Sequence, residues 1–245
     1  MTREVQMVTA QATGRLLAPD EDRRAKQPRR PLQKRSRERF KALLDATDAL
    51  LEVRDVNEVG LYDIAEKANV PPGSVYHFFP TKGAAFVALA ERYLEQLYRL
   101  TRLAPPDLDQ VRNWPDLFRV GSLKVMDFYN SNPVMLKLFF GSAISPEIRH
   151  RDAVYVEALS VSGYEWMNTF FEMPYVPDAE RKFSVVWSIF DGVTKTSYER
   201  HGKMTMEFHR EQMEAIIGYC RTFLPEVIPL RSPETRMTAP GLPGR

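Results

Sequence analysis

Apolar side chains recur along most of this chain at intervals of three and four, the spacing of one helix face. Phe40, Leu43, Leu44, Thr47, Leu50 and Leu51 make the first stripe. Leu61, Ile64, Ala65 and Ala68 make a shorter second, and Val75, Phe78 and Phe79 a third. Phe86, Leu89, Ala90, Tyr93, Leu94 and Leu97 follow as a fourth. Beyond the breaker-rich segment APPDLDQVRNWP, helices are predicted over about 116–131, 133–141, 146–173, 178–201 and 205–224. Pro133, Pro146 and the segment MPYVPD punctuate them. No segment requires a strand. The expected fold class is all-α, a small N-terminal bundle followed by a larger C-terminal one. Residues 1–33 lack periodicity and carry Pro19, Pro28 and Pro31, so they read as a disordered arm. Residues 34–103 form the first domain, 104–224 the second, and the proline-rich 225–245 a tail.

The second and third stripes are separated by the turn NVPP, with prolines that start a helix and do not break one. Pro72 suits the first helical turn, where its missing N–H has no intrahelical partner to lose. Asn69 stands where the chain must reverse, and Asn tolerates the left-handed region. Two short helices at a tight turn are the elements of a helix-turn-helix. With Val75, Phe78 and Phe79 facing inward, Gly73, Ser74, Tyr76 and His77 face out. Gly73 and Ser74 lie at the N-terminal end of the reading helix, which meets base edges, while Tyr76 and His77 can donate to phosphate. Lys82, just past a Pro-Thr turn, is within reach of the same backbone. Pro72 belongs to this surface as well.

Net charge is only +2, but it is unevenly spread. Residues 23–41, RRAKQPRRPLQKRSRERFK, hold ten Lys/Arg against the single acid Glu38. Such a run is either a solvated arm or a phosphate-seeking one.

The stretch LYDIAEKANVPPGSVYHFFPTKGAAF resembles the helix-turn-helix signature of the TetR (tetracycline-repressor) family of bacterial transcription regulators, over about residues 35–98. The resemblance implies a DNA-binding three- or four-helix bundle and a helical ligand-binding and dimerisation domain after it. The chain departs from the family pattern at Asn69, where Gly is common, and at Pro71, where Ser or Thr often caps the helix. It also has Leu61 and Tyr62 where a phosphate-touching Thr is frequent, which hands that contact to Tyr62. Beside such a bundle, the basic run reads as an arm contacting phosphate or the minor groove, with Arg35 and Arg37 among its contacts.

Family analogy makes the last two helices a dimerisation bundle. Two stripes allow it: Val186, Ile189, Phe190 and Val193, then Met213, Ile216, Ile217 and Cys220. Both could equally be spent inside one subunit. A two-fold protein implies a palindromic operator on double-stranded DNA. The middle helices are rich in rings and thioethers, a composition suited to an apolar or aromatic effector. Met126, Tyr129, Phe139, Trp166, Phe170 and Trp187 are the candidate pocket residues, with Glu165 and Asp191 as polar anchors. The resemblance implies a repressor that such an effector releases from DNA. The alternative is a regulator without an effector, controlled by a protein partner.

No P-loop, G-x-G-x-x-G, H-E-x-x-H or G-x-S-x-G motif occurs, and His77, His150, His201 and His209 are scattered. One cysteine, Cys220, leaves no internal disulfide and no cysteine-rich zinc site. The chain reads as non-enzymatic, with no metal or cofactor expected. No apolar run reaches the roughly 18 residues of a membrane span, and the first residues lack a secretory apolar region, so a cytoplasmic location is expected.

Overall fold

The computed structural model of the chain describes residues 28–31, 33–103, 107–141 and 145–232. Nine α-helices lie among them: α1 Lys34–Val53, α2 Leu61–Lys67, α3 Pro72–Phe78, α4 Lys82–Tyr98, α5 Trp114–Ser131, α6 Pro133–Phe140, α7 Pro146–Phe170, α8 Ala179–His201 and α9 Met206–Cys220. A π-helical turn, Arg99–Leu103, follows α4, and a 3-10 turn, Leu108–Gln110, precedes α5. Among the described residues there is no strand, only an isolated bridge between Phe171 and Leu230. The all-α expectation holds. None of the described helices is long and apolar enough to cross a membrane.

The chain divides into two compact units. The first holds the described residues up to Glu95 together with Pro133–Ala153; the second holds Gln96–Asn132 and the described residues from Val154 on. A single cut at 103/104 therefore misses how the chain packs. Helix α6 is the reason: Val134, Met135, Leu136, Leu138, Phe139 and Phe140 are all buried. A helix apolar all round must be buried, but its sequence does not name its neighbour. Here Lys137 helps bring it to α1, donating from Nζ to the carbonyls of Leu51 and Arg54 at the α1 C-terminus.

In the first unit, the predicted stripe of α1 is buried through Leu43, Leu44, Thr47, Leu50 and Leu51. Thr47 is satisfied by its own helix, donating to the Leu43 carbonyl at 2.7 Å. Helix α4 is pinned to α1 by polar groups as well as apolar ones. Arg92 reaches Asp45 at 2.6 Å and Asp48 at 2.7 Å, and the Tyr93 hydroxyl donates to Asp48 at 2.5 Å. Burial works to raise the Asp45 carboxyl, but hydrogen bonds and charge from Lys41 and Arg92 hold it below its ordinary value. For Tyr93 burial comes first, and with Asp48 it drives the phenol strongly upward.

In the second unit, α8 and α9 form an antiparallel pair closed by Gly202, in the left-handed region at φ 68. Thr205 caps α9, accepting from the Phe208 N–H at 3.4 Å. Buried Gln212 donates to the Phe190 carbonyl and to Thr194, which satisfies its amide nitrogen between the two helices. Asn130 of α5 bonds Met204 through both its amide groups.

The segment expected as a tail is partly structural. Trp114 Nε1 donates to the Pro225 carbonyl, the Glu172 N–H to Pro229, and the Arg231 guanidinium to Asn168. Ile228 is buried. Prolines removed helical periodicity here without removing packing. Residues 233–245 of that expected tail lie outside the described residues.

Candidate nucleic-acid interface and effector cavity

The turn between α2 and α3 forms as its residue types dictate. Asn69 takes φ 52, and the Asn69 and Val70 N–H groups bond back to the Glu66 and Ala65 carbonyls at 3.0 Å each. Pro71 is extended with no side-chain cap, and Pro72 is the first residue of α3. Helix α2 starts at Gly60, whose N–H donates to Asp63 Oδ2 at 2.8 Å. That bond and the Arg54 guanidinium hold the Asp63 carboxyl below its usual value.

Helix α3 is anchored on one side only. Val75, Phe78 and Phe79 are buried, with Phe78 edge-on to Phe40 at 5.7 Å and Phe79 tilted against it at 5.2 Å. Pro72, Gly73, Tyr76 and His77 are exposed and Ser74 is half-buried. A Cβ built on Gly73 would meet nothing within 4 Å. Tyr62 of α2 and Tyr76 stand edge-to-face at 6.1 Å, exposed by 67% and 45%. Local shielding, followed by the neighbouring Tyr62 hydroxyl, raises the Tyr76 phenol. Two exposed rings on adjacent helices make one edge of hydroxyl groups, a pairing that single-helix stripes do not disclose. Lys82 differs from the other candidates, because its ammonium already donates to the Val56 and Asn57 carbonyls at 3.4 and 3.2 Å.

Arg35 and Arg37 are exposed on the first turns of α1, beside Lys34 and Arg39. The first turn has no acid and no side-chain cap, so these cations oppose the positive end of the helix dipole. Just before them the chain is strapped down. The Arg29 N–H donates to the Phe78 carbonyl at the end of α3. Arg30 pairs with Glu91 at 2.5 Å, and Arg151 holds the other oxygen of the same carboxylate at 3.0 Å. Residues 28–31 of the expected disordered arm are thus attached to the bundle; residues 1–27 lie outside the described residues.

The second unit contains a cavity of about 90 Å³. Leu100 and Thr101 of the π-helical turn line it, as do Leu117, Phe118 and Ser122 of α5, Gly163, Trp166 and Met167 of α7, and Phe183, Val186, Trp187 and Phe190 of α8. Met213 and Ile216 of α9 complete the wall. Ser122 Oγ lies 2.8 Å from His209 Nε2, and burial depresses that imidazole against the pull of Asp127.

Residues 43–89 match the model of a family described as bacterial regulatory proteins, tetR family. The first unit thus carries a TetR-family region. The match runs from α1 to α4 and so contains α2, the turn and α3 whole. Three solved chains illustrate the likeness. A TetR-family regulator from Streptomyces coelicolor is 25% identical, with TM-score 0.54, over 78% of this chain and 99% of its own. A regulator assigned to the same family from Mesorhizobium loti is 12% identical with TM-score 0.59, covering 79% and 100%. NalD, the secondary repressor of the MexAB-OprM multidrug efflux pump in Pseudomonas aeruginosa, is 16% identical with TM-score 0.53, covering 79% and 100%. No curated protein matches the chain by sequence.

Trp166 and Trp187 are the two expected pocket residues that line the cavity. Met126, Tyr129 and Phe170 are buried but outside its wall, and the Tyr129 ring lies tilted against Phe190 with centroids 6.3 Å apart. Phe139 belongs to the first unit, Glu165 is exposed, and Asp191 is half-buried away from the wall. The expected dimer residues lie mostly inside the chain. Val186, Phe190, Met213 and Ile216 line the cavity, and Ile217 and Cys220 are wholly buried inside the chain. Burial pushes the Cys220 thiol up to about 12. Of the eight, Ile189 and Val193 keep part of their surface. The missed wall residues had one legible signal: small residues Gly121, Ser122 and Gly163 interrupt otherwise bulky apolar helices. Among the described residues, no group of three or more His, Cys, Asp or Glu is arranged to hold a metal.

Proposed function

We propose that this TetR-family chain is a sequence-specific regulator of transcription that binds double-stranded DNA as a homodimer on a palindromic operator. The observation that carries the reading is the division of α3 into a buried anchor and an exposed edge. Val75 and Phe78 fix the helix, which leaves Gly73, Tyr76 and His77 open to a groove. Tyr62, Ser74, Arg35 and Arg37 extend that surface, and the cations lacking acid partners on α1 favour phosphate.

The dimer surface is drawn from what remains exposed on the last two helices. Val185, Ser188 and Gly192 follow one line along α8, and Glu211, Ala215 and Gly218 another along α9. Ile189 and Val193 border the first. Small residues at that spacing let helices of two copies approach closely.

The regulator is a repressor that a small apolar or aromatic effector releases from DNA. The ring-lined cavity supports this, and so does chain continuity. Leu100 and Thr101 line the cavity directly after α4, whose Glu91, Arg92 and Tyr93 are tied within the first unit. An effector that prefers one setting of this helix shifts the population toward it. The second reading, control by a protein partner without an effector, is favoured by the cavity's size. About 90 Å³ leaves room for a small, compact molecule only.

Selection of genomic fragments bound by the purified full chain tests the first part, with enrichment of an inverted repeat as the expected result. Absence of any preferred sequence at moderate salt overturns it. Release of that fragment by apolar compounds tests the second part.

A further inference from the structure

Among the described residues, one polar atom in the wall of the cavity is without a partner. Trp187 lines the cavity, and its indole N–H is buried with no acceptor in reach. The other hydroxyls there are already used. Thr101 donates to the Leu97 carbonyl at 2.9 Å, and Ser122 lies between the Arg119 carbonyl, His209 and the Met213 sulfur. Lys124 also borders the space but is not free. Apart from the Trp166 indole, which is not free either, the rest of the wall is carbon and thioether, including Phe118, Phe183 and Phe190. The Trp187 ring is held in place edge-on to Phe190, with centroids 5.8 Å apart.

An unsatisfied buried donor carries a desolvation cost, which an acceptor placed against it recovers. A carboxylate would supply the acceptor, but it would bring an ionised group into an apolar wall with one N–H to receive it. A pure hydrocarbon would fill the space and leave the donor orphaned.

We propose that the cavity takes an uncharged, compact apolar ligand carrying one hydrogen-bond acceptor of the ketone or ester type, whose oxygen accepts from Trp187 Nε1. The proposal rests on the reading of this cavity as the effector site and specifies the chemistry it selects. Recognition is by shape and rings, with a single polar contact setting orientation.

The test uses the ¹⁵N-labelled full chain, whose three tryptophans give three indole signals, with Trp187→Phe assigning one of them. Cyclopentanone and methylenecyclopentane serve as probes, since they share a shape and differ in the acceptor. Both are expected to perturb the cavity indoles, and the ketone alone to move the Trp187 indole proton downfield. Trp187→Phe is expected to weaken the ketone about tenfold relative to the hydrocarbon. Equal shifts from the two probes, or equal weakening of both in the variant, overturn the proposal while leaving the effector reading intact. An indole proton that cyclopentanone binding leaves unmoved, because water already holds it, also overturns the proposal. If neither probe perturbs Trp166 or Trp187, the effector reading itself fails, and the proposal with it.

Discussion

Glu91 is buried on α4, and Arg30 closes on its Oε2 at 2.5 Å while Arg151 occupies Oε1 at 3.0 Å. One carboxylate therefore ties the strap ahead of α1 and the start of α7 to the same helix. Glu91→Gln removes the charge that both arginines face and lowers the unfolding free energy by about 1–3 kcal/mol in urea titrations. Arg30→Met has the smaller effect, because Arg151 remains to pair the buried charge.

Gly163 sits directly under Phe183, where an added Cβ would lie 2.7 Å from the ring. Gly163→Ala is expected to cost about 1–3 kcal/mol through overpacking. Phe183→Leu in the same chain relieves it, so a double-mutant cycle on thermal stability returns a favourable coupling.

His209 is held below its ordinary imidazole value by burial, with Asp127 opposing. The unfolded chain therefore takes up a proton, near pH 6.5, that the folded chain refuses. Stability is full above that pH and falls on acidification through it, until the depressed folded value is reached. Denaturant melts from pH 7.5 downward should show this loss, and His209→Gln should remove its share.

Gly73 offers a clean separation of folding from DNA contact. A methyl there meets no protein atom, and Ala is a better helix former by up to about 1 kcal/mol. Gly73→Ala should keep or raise the melting temperature and weaken operator binding at least about tenfold. Unchanged binding in a gel-shift titration would remove Gly73 from the interface.

Gly192 and Gly218 are also exposed and open to an added side chain. Gly192→Arg or Gly218→Arg should leave helical circular dichroism unchanged and convert the dimer to monomer in sedimentation. A dimer that survives both changes would place the interface elsewhere.

The reading helix was legible in one dimension because its determinants are local. A proline at the first turn, a residue tolerant of positive φ, and three apolar residues on one face are sufficient to specify it, and Asn69, Pro72, Val75, Phe78 and Phe79 stand accordingly. Helix number and type followed from periodicity for the same reason. Periodicity also identified which residues of α8 and α9 are apolar and inward.

Which space those residues enclose depends on contacts distant in sequence. A stripe specifies burial but not the partner, so Val186, Phe190, Met213 and Ile216 read equally well as a subunit interface or a cavity wall. The fold resolves this because Ser122 of α5 and Gly163 of α7 share one wall with these residues of α8 and α9. Likewise α6 declares itself buried, and only its packing on α1 assigns it to the first unit. Sequence position alone places Lys82 within reach of phosphate, and only the fold shows its ammonium donating to carbonyls 25 and 26 residues away. Local chemistry sets which elements form and which faces turn inward, whereas cavities, clasps and spent charges arise from side chains that meet only when the chain has closed on itself.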